Sequence, residues 1–286
     1  MTPLAIDRED HLGLLDAQLE IVRSRVALTA LPLPEQIAHR RVLAGPTNEA
    51  GGVDVRSFTG DKIERLTAYR FHREEVLNEH LFHAWPEQGY DYPALTTVIF
   101  EMPALLVVGA DLVPIADIAF DPTYYARYLE GYSHLVAARW PTLVAHRVGP
   151  EPPPDPYFTH QLGSRLSLLM YLEPAALELA RSFLIEVTEL WGGVRAAALP
   201  TPDVRARRTE DRRVALMRSA YKGLDYHSPA SAGIASVLGW EGANLMFDTV
   251  FGVDEVEQRP LDRPRRYLDV ALSPGTDGRP RSISLR

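Results

Sequence analysis

Three short β-rich segments follow one another so closely that no crossover helix fits between them. They are residues 95–102 (LTTVIFEM), 105–113 (LLVVGADLV) and 115–120 (IADIAF), with one or two residues between neighbours. Antiparallel strands can be joined by a two-residue turn, whereas a parallel pair needs a connection of a dozen or more residues. The sequence therefore predicts an antiparallel meander in this region.

Helices and further strands are predicted on both sides of this meander. Apolar residues recur every three or four positions from Leu12 to Val26, and a similar stripe runs from Tyr124 to Trp140, which indicates two amphipathic helices. Pro174 opens another helix, which we expect to end at Gly192-Gly193. The remaining predictions are two strands in 53–73, one strand in 165–172, helices in 203–222 and 230–251, and a loop in 29–52.

This order of elements favours one fold class. A single antiparallel sheet with helices before, between and after its strands packs most simply with helices on both faces. We therefore predict an α/β protein, a three-layer α/β/α sandwich with a central antiparallel sheet. Residues 1–272 are expected to form one domain, and residues 273–286 a disordered tail.

Composition excludes several classes of protein. The chain of 286 residues has no cysteine, so it has no disulfide, no thiolate nucleophile, no cysteine-bound iron–sulfur cluster and no thioether-linked chromophore. A net charge of −8 argues against a general nucleic-acid binder. We find no apolar run of 18 or more residues and no signal-peptide pattern, and we expect a cytoplasmic protein without a membrane partner.

Cofactor motifs are also missing from the sequence. His80 and His83 are three residues apart, but no third ligand follows at the expected spacing of a metal site. Neither pair of adjacent glycines belongs to a nucleotide-binding fingerprint. We therefore expect no bound metal and no Rossmann-bound nicotinamide, and any electrons for redox chemistry would come from outside or from another kind of cofactor.

Asp111 is the first candidate for a chemical role because nearly all its neighbours in LLVVGADLVPI are apolar. A buried aspartate must be paired, hydrogen-bonded or poised at a cavity, since an isolated buried charge is expensive. Burial would also raise its pKa and make it a usable proton donor near neutral pH. The alternative is an aspartate at a strand end that accepts hydrogen bonds from the backbone amides of a turn.

Two further candidates carry histidine. His227, in LDYHSPASAG, could exchange protons near neutral pH, or it could be a loop residue before a helix capped by Ser228. His72 and Glu74, in YRFHREEV, would lie side by side on one face of a strand and could tune each other's pKa. The alternative for this pair is the solvated face of an edge strand.

Residues 205–222 carry a local excess of positive charge on an acidic protein. Six arginines lie between Arg205 and Arg218, and Lys222 follows them. The only acidic residues in this segment are Glu210 and Asp211. This segment is either a solvated helix face or a docking surface for an acidic partner.

Three segments together resemble the ferredoxin-dependent bilin reductases. They are residues 95–122 (LTTVIFEMPALLVVGADLVPIADIAFDP), 156–172 (PYFTHQLGSRLSLLMYL) and 225–255 (DYHSPASAGIASVLGWEGANLMFDTVFGVDE), and the resemblance spans roughly residues 55–255. It implies an α/β/α sandwich that holds a linear tetrapyrrole between the sheet and the C-terminal helices. It also implies no bound cofactor, single electrons from ferredoxin, protons from acidic side chains, and radical intermediates.

The resemblance assigns roles to individual residues. Asp111 matches the central proton-donating aspartate of the sheet, and His227 falls where the family usually has Asn or Asp on the helical side of the pocket. His72 and Glu74 resemble the His-x-Glu strand of the phycocyanobilin-forming branch. We therefore expect catalytic roles for Asp111, His227 and Glu74, and substrate contacts from His72, Thr96 and Phe158, the last in the segment similar to the family's Phe-Ser segment.

The chain departs from this pattern at three places. Thr96 stands where the phycocyanobilin branch has a catalytic histidine, and a threonine cannot donate a proton comparably at neutral pH. Leu172 and Glu173 occupy the region where an arginine would hold a propionate. Residues 75–94 look like an insertion.

Three functional hypotheses follow. The first is a ferredoxin-dependent, radical-type reductase of a bilin or a related conjugated substrate, with the 205–222 segment as the docking surface for ferredoxin. The second is an enzyme of the same fold that acts on a non-tetrapyrrole substrate in a specialised, natural-product pathway. The third is a bilin-binding protein without catalytic activity.

Overall fold

The computed structural model of the chain describes residues 10–43, 49–73, 77–116, 121–148, 164, 166–201 and 229–251. Within these residues, one antiparallel sheet of eight strands runs through the molecule in the order β1-β3-β4-β5-β6-β7-β8, and β2 pairs with the outer part of β3. The strands are β1 (Leu28–Ala30), β2 (His39–Leu43), β3 (Glu49–Gly60), β4 (Ile63–Arg73), β5 (Leu77–Pro86), β6 (Ala94–Met102), β7 (Leu105–Val113) and β8 (Leu168–Leu172).

Helices cover both faces of this sheet. They are α1 (Asp10–Arg23), α2 (Glu35–Ala38), α3 (Pro122–Tyr124), α4 (Glu130–Ala145), α5 (Leu177–Ala196) and α6 (Pro229–Phe251). A π-helical turn (Tyr125–Leu129) joins α3 to α4, and a 3₁₀ turn (Pro174–Ala176) leads into α5. None of the helices in the described ranges is both long enough and apolar enough to cross a membrane.

The first face of the sheet packs against α1 and α5, and we call it the α5 face. Side chains alternate between the two faces of a strand, so Leu66, Phe82, Ile99 and Val108 all point to this side. The first and fifth helices also contact each other, and α4 packs against α5. Their apolar stripes, with Leu19, Leu184 and Trp191 fully buried, form the larger of the two cores.

The second face packs against α2 and α6, and we call it the α6 face. The last helix lies over β2, β3 and β4, where Tyr69, Met246 and Phe247 are buried in the smaller core. The helix is bent at Gly239, whose φ of 72° and ψ of 165° interrupt the helical geometry. A positive φ of this kind favours glycine, because a side chain at Cβ would collide with the backbone.

The predicted fold class is confirmed, since the chain is an α/β/α sandwich around one antiparallel sheet. The meander is confirmed for its first two segments, which form β6 and β7 and pair from Ala94↔Val113 to Met102↔Leu105. The third segment does not begin as a strand, because β7 ends at Val113 and Pro114 follows without a backbone N–H to donate. Residues 117–120 lie outside the described residues.

Two predictions of local structure, for residues 29–52 and for the end of α5, are wrong, and β5 was not predicted. Residues 29–52 are not a continuous loop, because β1, α2, β2 and the start of β3 fall within them. The stretch 75–94 contains β5, a central strand that pairs with both β4 and β6. The fifth helix continues through Gly192 and Gly193 to Ala196, and a Cβ at Gly192 would come within 3.0 Å of the Arg25 guanidinium. The predicted helix in 203–222 and the predicted tail in 273–286 lie outside the described residues.

Gln18 on α1 ties three elements together inside the α5 face. Its Nε2 donates hydrogen bonds to Thr97 Oγ1 on β6 at 3.0 Å and to Thr188 Oγ1 on α5 at 2.8 Å. The side chain is 1% exposed, so no water replaces these partners if they are lost. Removing a partner of a buried polar group costs the desolvation of the group left behind.

We therefore expect Gln18→Met, which keeps the length of the side chain and removes both donors, to lower the free energy of unfolding by about 1–3 kcal/mol. The measurement is urea denaturation followed by circular dichroism. The matched control is Glu20→Met on the exposed side of the same helix, where the Glu20 side chain is 72% exposed. That control should change stability by less than about 0.5 kcal/mol, and equal losses in the two variants would contradict the assignment.

Candidate functional site

Five polar side chains form one row across the α6 face of the sheet. Ser57 on β3 is paired with Thr67 on β4, and Thr67 is paired in turn with His83 on β5. The row continues from His83 to Thr96 on β6 and from Thr96 to Asp111 on β7. Directly opposed residues of antiparallel strands point to the same face, with Cβ atoms about 4.5–5.5 Å apart. The register therefore places these five side chains in a line perpendicular to the strands, which we call the polar row.

Asp111 ends this row as a fully enclosed carboxyl group that is 1% exposed. Its Oδ2 accepts a hydrogen bond from the backbone N–H of Ser164 at 2.9 Å, and its Oδ1 accepts a second from the Ser164 hydroxyl. Burial raises the pKa of Asp111 to about 7, although hydrogen bonds from Ser164 and from the Leu112 backbone act in the opposite direction. The expected burial and the expected rise in pKa are both confirmed, and the backbone amide contact of the alternative interpretation is also present.

His83 lies two strands away from Asp111 and has the opposite electrostatic character. Burial lowers the pKa of its imidazole to about 3, and a hydrogen bond with the Leu95 backbone offsets this only in part. Its ring stacks against Trp85, with centroids 6.1 Å apart. The imidazole is therefore neutral at pH 7, while the carboxyl of Asp111 is close to half-protonated.

The far end of the row is closed. The hydroxyls of Ser57 and Thr67 lie 3.3 Å apart and share a hydrogen bond, and both side chains are buried on the strands that α6 covers. One step along the sheet, the Tyr69 hydroxyl donates a hydrogen bond to the buried Glu79 carboxylate on the same face. At this end of the row, each of the two pairs is therefore joined by a hydrogen bond within the sheet.

The other end of the row opens toward a partly exposed apolar surface. Thr96, Val98 and Phe100 alternate along β6 on this face, and all three are partly exposed. Leu169 on β8, paired with Gly109, is 43% exposed. A Cβ at Gly109 would lie 2.7 Å from Cγ1 of Val98, so this part of the sheet has a flat floor beside Asp111. A flat apolar floor next to one acidic group suits a planar, largely apolar ligand that exchanges a proton.

The structure brings together only part of the predicted site. Thr96 and Asp111 are direct cross-strand neighbours on the α6 face. His72 instead points to the α5 face, because it is paired with Asn78 in a register where even-numbered residues of β4 face that side. The sheet therefore separates His72 from Asp111, and the substrate contact of His72 stays a prediction for a side chain on the opposite face. Glu74, Phe158 and His227 lie outside the described residues.

Two residues of the site were missed from the sequence. His83 was weighed only as a metal ligand with His80. These two histidines are three positions apart along β5, so they point to opposite faces of the strand. The place of His83 beside Thr96 depends on the register of β5, a strand that was not predicted. Ser164 approaches Asp111 from 53 residues away, and no local pattern signals such a contact. Within the described ranges, no group of three or more His, Cys, Asp and Glu side chains could hold a metal ion.

Comparison with known proteins identifies a similar fold. No protein-family model matches the chain, and no curated protein sequence matches it. The crystal structure of selenomethionine phytochromobilin synthase from tomato, in complex with biliverdin, is similar with a TM-score of 0.70 and 16% sequence identity. The match covers 94% of this chain and 91% of that chain. The chain therefore has the fold of the ferredoxin-dependent bilin reductases.

Proposed function

We propose that this protein is a ferredoxin-dependent, radical-type reductase of a bilin or a related conjugated substrate, with Asp111 as its proton donor. The observation that carries the proposal is the Asp111 carboxyl, buried on the α6 face with its pKa raised to about 7. A general acid works best when its pKa lies near the working pH, because a useful fraction is then protonated and the proton is still acidic enough to be transferred.

The reaction divides between an external electron and an internal proton. Reduced ferredoxin gives one electron to the bound substrate, and the O–H bond of Asp111 breaks as its proton passes to that substrate. A second reduced ferredoxin gives the second electron, and Asp111, reprotonated from solvent between the two transfers, gives the second proton. The protein itself needs only to hold the substrate, exclude bulk water and supply an acid of suitable strength.

The open end of the polar row is the proposed binding surface. Val98, Phe100 and Leu169 would support the flat conjugated part of the substrate, while the Thr96 hydroxyl can donate a hydrogen bond to one of its polar atoms. Glu74, Phe158 and His227 are proposed to complete the site, as the family resemblance implies. Ferredoxin is proposed to dock on the basic segment 205–222.

A second function is favoured by one region of the structure. Glu173, near the place where the family resemblance calls for a propionate-binding arginine, is an acid that contacts His146 Nδ1 at 2.6 Å. A carboxylate there would repel the propionate of a bilin. Together with Thr96, this favours an enzyme of the same fold that acts on a non-tetrapyrrole substrate, and a binding protein without turnover is the third outcome.

The first prediction concerns biliverdin. We expect the protein to change the visible absorption spectrum of biliverdin on mixing, and reduced ferredoxin to convert the complex to a product under anaerobic conditions. Spectrophotometry and chromatographic separation of the pigments provide the measurement. If mixing changes no spectrum and no product forms, the bilin version of the proposal is wrong and the non-tetrapyrrole version remains.

The second prediction concerns the proton donor. Asp111→Asn keeps the shape of the side chain and removes the acid, so we expect turnover to fall by about 10²- to 10⁴-fold while the substrate still binds. Single-turnover kinetics and an absorption titration separate the two effects. The control is Asp16→Asn on α1, whose side chain is 54% exposed. Normal turnover by Asp111→Asn would contradict the assignment.

The third prediction concerns pH. Asp111 must carry its proton to act, so kcat/KM should be highest below pH 7 and fall as the pH rises through the pKa of about 7. The fall should approach tenfold for each pH unit above that value, because the protonated fraction declines in that way. Stopped-flow measurements of the reduction rate from pH 6 to 9, with reduced ferredoxin in excess, test this dependence. A residual rate in Asp111→Asn that shows the same alkaline limb would mean that another group titrates.

A further inference from the structure

Ser164 makes two hydrogen bonds to the same carboxyl group. Its backbone N–H donates to Oδ2 of Asp111 at 2.9 Å, and its hydroxyl donates to Oδ1. The residue is 4% exposed, so water has little access to this contact. Each carboxyl oxygen of Asp111 therefore accepts one hydrogen bond, and both donors belong to Ser164.

The direction of the hydroxyl bond follows from a third contact. The backbone N–H of Leu166 donates to Ser164 Oγ at 3.1 Å. A serine hydroxyl has one hydrogen and two lone pairs. The Leu166 N–H occupies one lone pair of Oγ and leaves the hydroxyl hydrogen available for donation to Oδ1 of Asp111. Ser164 is thus oriented as a double donor, and a double donor fits a carboxylate with two accepting oxygens better than a carboxylic acid, one oxygen of which carries a proton.

We propose that Ser164 is a positioning residue that orients the Asp111 carboxyl and stabilises its ionised form when the proton has left. This inference rests on the proposed function, in which the Asp111 O–H bond breaks and its proton goes to a substrate that has received an electron from reduced ferredoxin. The carboxylate that remains is buried, and the two hydrogen bonds of Ser164 replace the water that would otherwise solvate it.

The surroundings of Asp111 leave Ser164 as the main polar influence on this group. Among the described residues of β4, β5 and β8 on the same face, the titratable side chains are Arg65, Tyr69 and Arg73 on β4, Glu79 and His83 on β5, and Tyr171 on β8. The adjacent strand β6 contributes no titratable side chain to this face, as it presents Thr96, Val98 and Phe100. His83 is two strands away and neutral at pH 7, because burial holds its pKa near 3.

The test measures the proton affinity of Asp111 without any substrate. The infrared band of the protonated carboxyl is followed from pH 5 to 9 in the full chain, and the difference from Asp111→Asn assigns the band. We expect a midpoint near 7 in the wild type. Ser164→Ala removes the hydroxyl donor but keeps the backbone N–H, so the midpoint should rise by roughly one to two units, a 10- to 100-fold loss of acidity.

Two further variants separate the hydroxyl from the bulk of the side chain. Ser164→Thr keeps the donor and should leave the midpoint within about 0.3 unit of the wild type, while Ser164→Cys, a weaker donor, should give an intermediate rise. An unchanged midpoint in both Ser164→Ala and Ser164→Cys would overturn the inference. A Ser164→Thr midpoint that rises as far as that of Ser164→Ala would also overturn it. If one variant fails to fold, the remaining pair still decides.

Kinetics distinguish this inference from the proposed function. Where the wild type reduces biliverdin, the alkaline limb of kcat/KM in Ser164→Ala should move upward by the same number of units as the infrared midpoint. Where the wild type does not reduce biliverdin, the bilin proposal fails, yet the infrared titration still tests the role of Ser164. If Ser164→Ala shifts the infrared midpoint but not the alkaline limb of kcat/KM, Ser164 affects the acidity of Asp111 without affecting the reaction, and its proposed role in catalysis is wrong.

Discussion

The register between β5, β6 and β7 is the constraint on which the rest of the site depends. Asp111, Thr96 and His83 come from three strands that are separated along the chain by turns and loops, and only the pairing of these strands puts them in one line. A slip of one residue would turn each side chain to the other face of the sheet. The apolar residues between them resist such a slip, since Leu95, Ala110 and Leu112 are buried against α1 and α5.

Two effects of opposite sign act on the pKa of Asp111. Burial disfavours the charge of Asp111, whereas the two hydrogen bonds of Ser164 and the backbone of Leu112 favour it. Burial is the larger effect, but the hydrogen bonds keep the pKa near 7 instead of allowing it to rise further. Burial alone would favour the neutral form of Asp111 more strongly, and the hydrogen bonds alone would favour its charged form.

The sequence predicts the pairing of β6 with β7 and the burial of Asp111 because both are local. Short β-rich segments with two-residue connections leave one pairing, and an aspartate among apolar residues must be buried with partners. The sequence does not reveal β5, since LNEHLFHAWP carries polar residues at positions that point to both faces. Those polar residues are buried: Asn78 and His80 lie on the α5 face, and Glu79 and His83 lie on the α6 face. The side of the sheet on which His72 lies follows from that missed register, and the contact with Ser164 is long-range.

Thr96 lies between His83 and Asp111 in the polar row, so the strand β6 separates these two titratable groups. A histidine at this position would stand directly beside Asp111, and two titratable neighbours share their protons, so neither has a pKa of its own. A threonine hydroxyl does not titrate near neutral pH, and the nearest imidazole, that of His83, is one strand further away and neutral. Asp111 therefore has no titratable cross-strand neighbour on β6. The pKa of Asp111 is set mainly by the burial of its carboxyl on β7 and by the hydrogen bonds from Ser164. These two contributions therefore determine the strength of the proposed acid.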